Sequence, residues 1–220
     1  MTTAEMITAF NVHYDIVNLE GPGYEDSEIL VLLNQSQSIE VLKEVAKRNW
    51  TVLSNLLVNE QGTLAAGLNY NYTKLFTPAP STEYMAYISS KSKVTRANYR
   101  AITTAGGEWI ENIPIEKELS GKYLTNTINQ PILLQPRVFE DTLKKITVIY
   151  DKNTTFAGAN DFYLEYVRKP DDITSIADCE VNDILHERIV NTAVSLAKKV
   201  FNPNESGNSV QTDMMINKTV

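Results

Sequence analysis

Apolar side chains recur with helical spacing at the start of the chain. Met6, Phe10, Tyr14 and Val17 step by four, four and three residues and so share one face, which predicts a helix over 3–17. Thr2 and Glu5 have capping-box spacing at its start. Gly21-Pro22-Gly23 then breaks the pattern, because glycine admits unusual backbone angles and proline lacks a donor. A second, longer helix is predicted over 24–57, with a stripe running from Ile29, Leu32 and Leu33 through Ile39, Leu42, Val45 and Ala46 to Val52, Leu53 and Leu56. Glu25, Asp26 and Glu28 suit its positive N-terminal end, and Lys43, Lys47 and Arg48 lie later along it. Arg48-Asn49-Trp50-Thr51 marks a kink or break. The stripe reads as core first and as a partner surface second.

From 59 to 170 the helical period fades and short alternating runs take over. Strands are expected at 83–89, at 132–139 with Pro136 forcing an edge or bulge, at 145–150 and at 161–168. Ile146, Val148 and Tyr150 should share one face, as should Phe162, Leu164 and Tyr166. The polar connection 151–160 predicts a hairpin loop between the last two strands. A final helix is expected over 182–201. Val181, Leu185, Ile189, Ala193, Leu196 and Val200 form its stripe, Lys198 and Lys199 occupy its last turn, and Asn202-Pro203 stops it. The expected fold class is α+β: a helical bundle from an N-terminal helix hairpin and a C-terminal helix, with a β-rich antiparallel insertion. The expected divisions are 1–58, 59–170, 171–201 and a flexible tail over 202–220 that orders on a partner.

Composition narrows the function classes. The 220 residues carry 27 acidic and 20 basic side chains, a net charge of −7, which disfavours generic nucleic-acid binding. Cys179 is the sole cysteine, so no internal disulfide forms. The N-terminus lacks the basic and apolar runs of a signal peptide, and no apolar stretch is long enough to span a bilayer, so synthesis inside a cell without a membrane partner is expected. His13 and His186 have no second ligand at metal spacing, and no nucleophile elbow is present. Gly106-Gly107 lacks a following Lys-Ser/Thr and reads as a turn before Glu108-Trp109-Ile110. Asp171, Asp172, Asp178, Glu180 and Asp183 lack the register of a calcium loop and read as a solvated loop and helix start. No catalytic residue, metal or cofactor is expected.

One basic run, Lys91, Lys93, Arg96 and Arg100 with Tyr99 interleaved, is a candidate contact surface, for an acidic protein face ahead of nucleic acid. Tyr70 and Tyr72, with Tyr84 and Tyr87, add side chains suited to interfaces.

Two segments carry a resemblance. Phe10-Asn-Val-His-Tyr14, Gly21-Pro-Gly23 and Ser27-Glu-Ile-Leu30 on to Gln37 form the first. Phe162 to Arg168, followed by Cys179-Glu-Val-Asn-Asp-Ile-Leu-His186-Glu-Arg-Ile189 and Ala193-Val-Ser-Leu-Ala197, form the second. Together they resemble the neck-ring, or head–tail connector, proteins of tailed bacteriophages, especially crAss-like phages. The match covers about the first 40 residues and residues 162–197, the second motif being the more specific. The resemblance implies a virion ring, typically of twelve subunits, partnered by the portal and by other neck or tail rings, with DNA passing as a non-specific cargo. It implies synthesis in the host bacterial cytoplasm and no cofactor. The alternative is a tail-associated module whose β middle binds a host glycan or receptor.

Overall fold

The computed structural model describes residues 1–17, 23–66, 73–78, 83–97, 100–101, 106–120, 135–141, 145–151 and 154–201. The chain is mixed α+β and divides into two compact units, Met1–Leu56 with Pro170–Val220, and Leu57–Lys169. No helix among the described residues is long and apolar enough to cross a membrane.

In the first unit, α1 spans Thr3–Val17, α2 Asp26–Ala46 and α3 His186–Phe201. Met6, Phe10 and Tyr14 of α1 are buried as the spacing requires. Phe10 stacks on Tyr14, and Tyr24 meets both rings edge-on. Glu25 caps α2 in a capping box with Glu28. The long helix expected to reach Leu57 ends at Ala46. Arg48 takes a left-handed backbone (φ 55°), and the Glu44 carbonyl accepts from the Asn49 N–H. Beyond a short 3₁₀ turn at Ser54–Leu56 the chain is already a strand.

The buried face of α2 also differs from the predicted stripe. Ser36, Gln37, Glu40 and Glu44 are buried beside Ile29, Leu33 and Val41, whereas Leu42 and Val31 are about half exposed. Burying these polar groups requires partners: Ser36 donates to the Leu32 carbonyl of its own helix, Lys43, Lys47 and Asn49 reach the two glutamates, and the segment 171–188 supplies further partners. Asn34 clamps the Ile173 backbone from both sides, donating to its carbonyl at 3.0 Å and accepting from its N–H at 2.7 Å. Gln37 donates to the Asp171 carbonyl and accepts from the Cys179 thiol. Arg188 forks across one turn of α2, to Glu44 at 2.8 Å and Glu40 at 2.6 Å. On α3, Ile189, Val190, Ala193, Val194 and Ala197 are buried, close to the predicted stripe. The helix proper begins at His186, after a 3₁₀ turn capped by Asn182.

The second unit contains two sheets where one was expected. Its strands are β1 Leu57–Gly62, β2 Ala65–Ala66, β3 Thr73–Phe76, β4 Tyr84–Ala97, β5 Arg100–Ala101, β6 Glu108–Glu111, β7 Ile113–Pro114, β8 Arg137–Glu140, β9 Ile146–Ile149, β10 Thr155–Phe156 and β11 Phe162–Arg168. The larger sheet runs β1-β11-β4-β10, with β5 and β6 also on β4; the smaller runs β2-β3-β9-β8-β7. All pairs are antiparallel except β7 with β8.

Residues 151–160 therefore do not form a hairpin loop. β9 and β11 belong to different sheets, and β10 pairs with β4 between them. The face expected for Ile146 and Val148 has no solvated opposite, since all four residues of β9 are buried. By contrast Phe162, Leu164 and Tyr166 do share the inward face of β11. They join Tyr84 and Val94 from the larger sheet and Val138, Ile146 and Val148 from the smaller in one core. Pro136 falls just ahead of β8, and residues 132–134 lie outside the described residues.

Candidate functional site

The expected basic run falls mostly on β4, the longest strand. Side chains alternate across a strand, so Ser90, Ser92 and Val94 point into the protein and are buried, while Lys91 and Lys93 take the outward face. Arg96 lies further along β4 opposite Ala101, and Arg100 lies on β5 opposite Ala97. Tyr70 and Tyr72 lie outside the described residues. Two other tyrosines expected at interfaces belong to the interior side. Tyr84 is fully buried and donates to Glu140 at 2.9 Å, and the Tyr87 hydroxyl meets Ser90 at 3.0 Å. Burial pushes both phenols above their ordinary pKa.

Strand register assembles the rest of the outward face. Lys91 pairs with Tyr163 on one side and Glu111 on the other, Tyr163 pairs with Gln61, and Lys93 pairs with Trp109. Gln61, Lys91, Trp109 and Tyr163 line a shallow depression of about 350 Å³. The Lys93 ammonium sits 5.9 Å from the centroid of the Trp109 ring, and that residue as a whole is 39 % exposed. Among the side chains described on this face, Lys91 and Lys93 stand with Glu111 and Glu165, the last accepting from Ser89 at 2.9 Å.

The sequence builds this face rigidly. Gly106 and Gly107, read as a turn before β6, take φ of 81° and 99°. A Cβ on Gly107 would stand 3.0 Å from the Val94 carbonyl oxygen, so the glycine pair lets β6 close on β4 and set Trp109 beside Lys93. Beneath the face, buried Asn112 donates to Ser90 Oγ at 2.9 Å and accepts from Ser92 Oγ at 2.8 Å. The Lys93 backbone is tied twice more, to Asp161 at 2.7 Å and Ala157 at 3.0 Å. Sequence reasoning found Lys91 and Lys93 but missed Gln61, Trp109 and Tyr163. The available signal was the alternation in 161–168: placing Phe162, Leu164 and Tyr166 inward places Tyr163 and Glu165 outward.

The groups weighed for catalysis have internal partners. Burial pushes the Cys179 thiol up to about 11, which suppresses its reactive thiolate. His186 is 3 % exposed. Its Nε2 lies 2.9 Å from the Val181 carbonyl, which can only accept, so that nitrogen carries a proton; Nδ1 stands 2.7 Å from the Met1 amine and 3.3 Å from Asp183 Oδ1. His13 meets Asn191 at 2.8 Å. In the acidic loop, Asp178 accepts from the Thr3 N–H at 2.7 Å and Glu180 from the Asp171 N–H at 3.1 Å. No group of three or more His, Cys, Asp or Glu among the described residues is placed to hold a metal ion.

Against protein-family models and curated protein sequences, the chain matches none.

Proposed function

We propose that this chain is a structural subunit of a tailed-bacteriophage neck, assembling with further copies into a ring between portal and tail. In this reading the three helices form the bundle of each subunit, the ring has about twelve copies as in the family it resembles, and the DNA it surrounds is not bound specifically. The chain works through contacts, without a catalytic centre or cofactor.

One observation carries the proposal. The first segment and the Cys179–Ala197 part of the second are partners within one unit. Asn34 and Gln37, at the end of the first segment, hold the backbone of Ile173 and Asp171 and the thiol of Cys179, which opens the second motif. Leu185, Ile189 and Ala193 of that motif are fully buried. The motif residues thus specify a packed scaffold. Val31 and Leu42 of α2 and Val12 of α1 remain about half exposed on the same unit. Apolar groups left outward on a rigid helix suit a head-to-tail interface repeated until a ring closes.

The test is to quantify this chain by mass spectrometry in purified virions and to image its co-expression product with the cognate portal. Expected are a ring-sized copy number per particle and ring-shaped complexes that Leu42→Glu disrupts. Absence from purified virions overturns the proposal.

A further inference from the structure

We infer that the outward face of β1, β11, β4 and β6 is a binding platform for a neutral saccharide. The inference is independent of the ring reading. A pyranose presents apolar C–H faces and a rim of hydroxyls that both donate and accept. Its site therefore calls for exposed aromatic rings beside mixed polar groups, with no excess of charge. This face has that composition. Trp109 and Tyr163 supply the rings, on strands flanking β4. Gln61 offers an amide that donates and accepts, Lys91 donates, and Glu111, its partner in register, accepts. All sit on a hydrogen-bonded ladder, so little ordering is needed on binding. The depression is the size of a small-molecule site.

Charge and composition select the occupant. Nucleic acid also stacks on aromatics but requires a positive groove along its phosphates. Here, among the described side chains, Lys91 and Lys93 are matched by Glu111 and Glu165, and Lys93 lies over Trp109. A protein partner of ordinary affinity calls for an apolar centre. Among the described residues the depression is lined by no aliphatic side chain, only by the two aromatics with Gln61 and Lys91.

The experiment uses the full chain and a panel of neutral oligosaccharides: cellohexaose, laminarihexaose, maltohexaose, xylohexaose, mannohexaose and chitohexaose. Binding is followed by calorimetry and by saturation-transfer NMR. At least one is expected to bind with Kd between roughly micromolar and millimolar, and Trp109→Ala and Tyr163→Ala should each weaken it roughly tenfold or more. Gln61→Ala and Lys91→Ala, which leave the core untouched, should weaken it less, with unchanged circular dichroism for all. A thymidine oligonucleotide should not bind. Silence across the panel overturns the inference, as does binding indifferent to all four substitutions. Oligonucleotide binding abolished by Trp109→Ala would reassign the face to nucleic acid. Virion content, which decides the ring reading, does not depend on any of these results.

Discussion

Glu44 offers a quantitative test of the polar seam between α2 and α3. Its side chain is 3 % exposed, yet it accepts from Arg188 at 2.8 Å, Lys47 at 3.0 Å and Asn49 at 2.8 Å. The hydrogen bond from Arg188 is the largest influence, and with those from Lys47 and Asn49 it outweighs the opposing effect of burial. The carboxyl is held at about 2, against an ordinary 4.5. A carboxyl whose folded pKa is depressed stabilises the fold above its unfolded pKa and loses that contribution as pH falls through the folded one. At about 1.4 kcal/mol per tenfold change in acidity, the interval from 4.5 to about 2 corresponds to roughly 3 kcal/mol at neutral pH.

Glu44→Gln removes this contribution and turns an amide N–H₂ toward donors. The assay is urea unfolding by far-UV circular dichroism at a series of pH values. The variant should be destabilised by about 2–4 kcal/mol near pH 7, and the difference from the parent should shrink steadily between about pH 5 and pH 2. Glu40 is also held below its usual range: burial pushes it up, but hydrogen bonds from Lys43 and Thr192 and the charges of Lys43 and Arg188 prevail. It shares the Arg188 guanidinium with Glu44, so the difference reports Glu44 together with any change this causes in Glu40. A gap below about 0.5 kcal/mol at neutral pH, or one that does not change with acidification, would refute the reasoning.

Two further outcomes follow from geometry. Alkylation of Cys179 by iodoacetamide at mildly alkaline pH should be slower than in the urea-unfolded chain by roughly a hundredfold or more, given its burial and its pKa of about 11; equal rates would contradict the buried Gln37 contact. The stability tied to this thiol is intact below its unfolded pKa and declines as pH rises toward 11. Gly107→Ala, at φ 99° and 3.0 Å from the Val94 oxygen, should cost about 1–3 kcal/mol and alter the fluorescence of Trp109. A variant with the parent's melting temperature and spectrum would show that the turn does not need glycine.

The helix periods of α1 and α3 were legible because burial follows local spacing there. Phe10, Ile189 and Ala193 occupy the faces their spacing assigns. The buried face of α2 was not legible, because its polar residues are satisfied by residues more than a hundred positions away, such as Arg188 and Ile173. Tertiary partners overrode the apolar pattern that pointed to Leu42. The sheet assignment failed for a related reason: β9 and β11 each alternate or run apolar locally, and nothing local states that they belong to different sheets. For the outward face, Lys91 and Lys93 stood out as charges, while Trp109 and Gln61 become their neighbours only through strand register.

The pairing of β1 with β11 has a consequence for how this chain can vary. Leu57, where the β unit is entered, stands opposite Val167, two residues before it is left. Entry and exit are adjacent rungs of one ladder, so the whole excursion is a closed loop with a zipped base. Such a base tolerates lengthening or wholesale exchange of what lies beyond it, because loop closure grows only slowly with length. Natural relatives of this helical unit should therefore carry β excursions of very different size and surface at this same junction, and the region could be transplanted as a cassette.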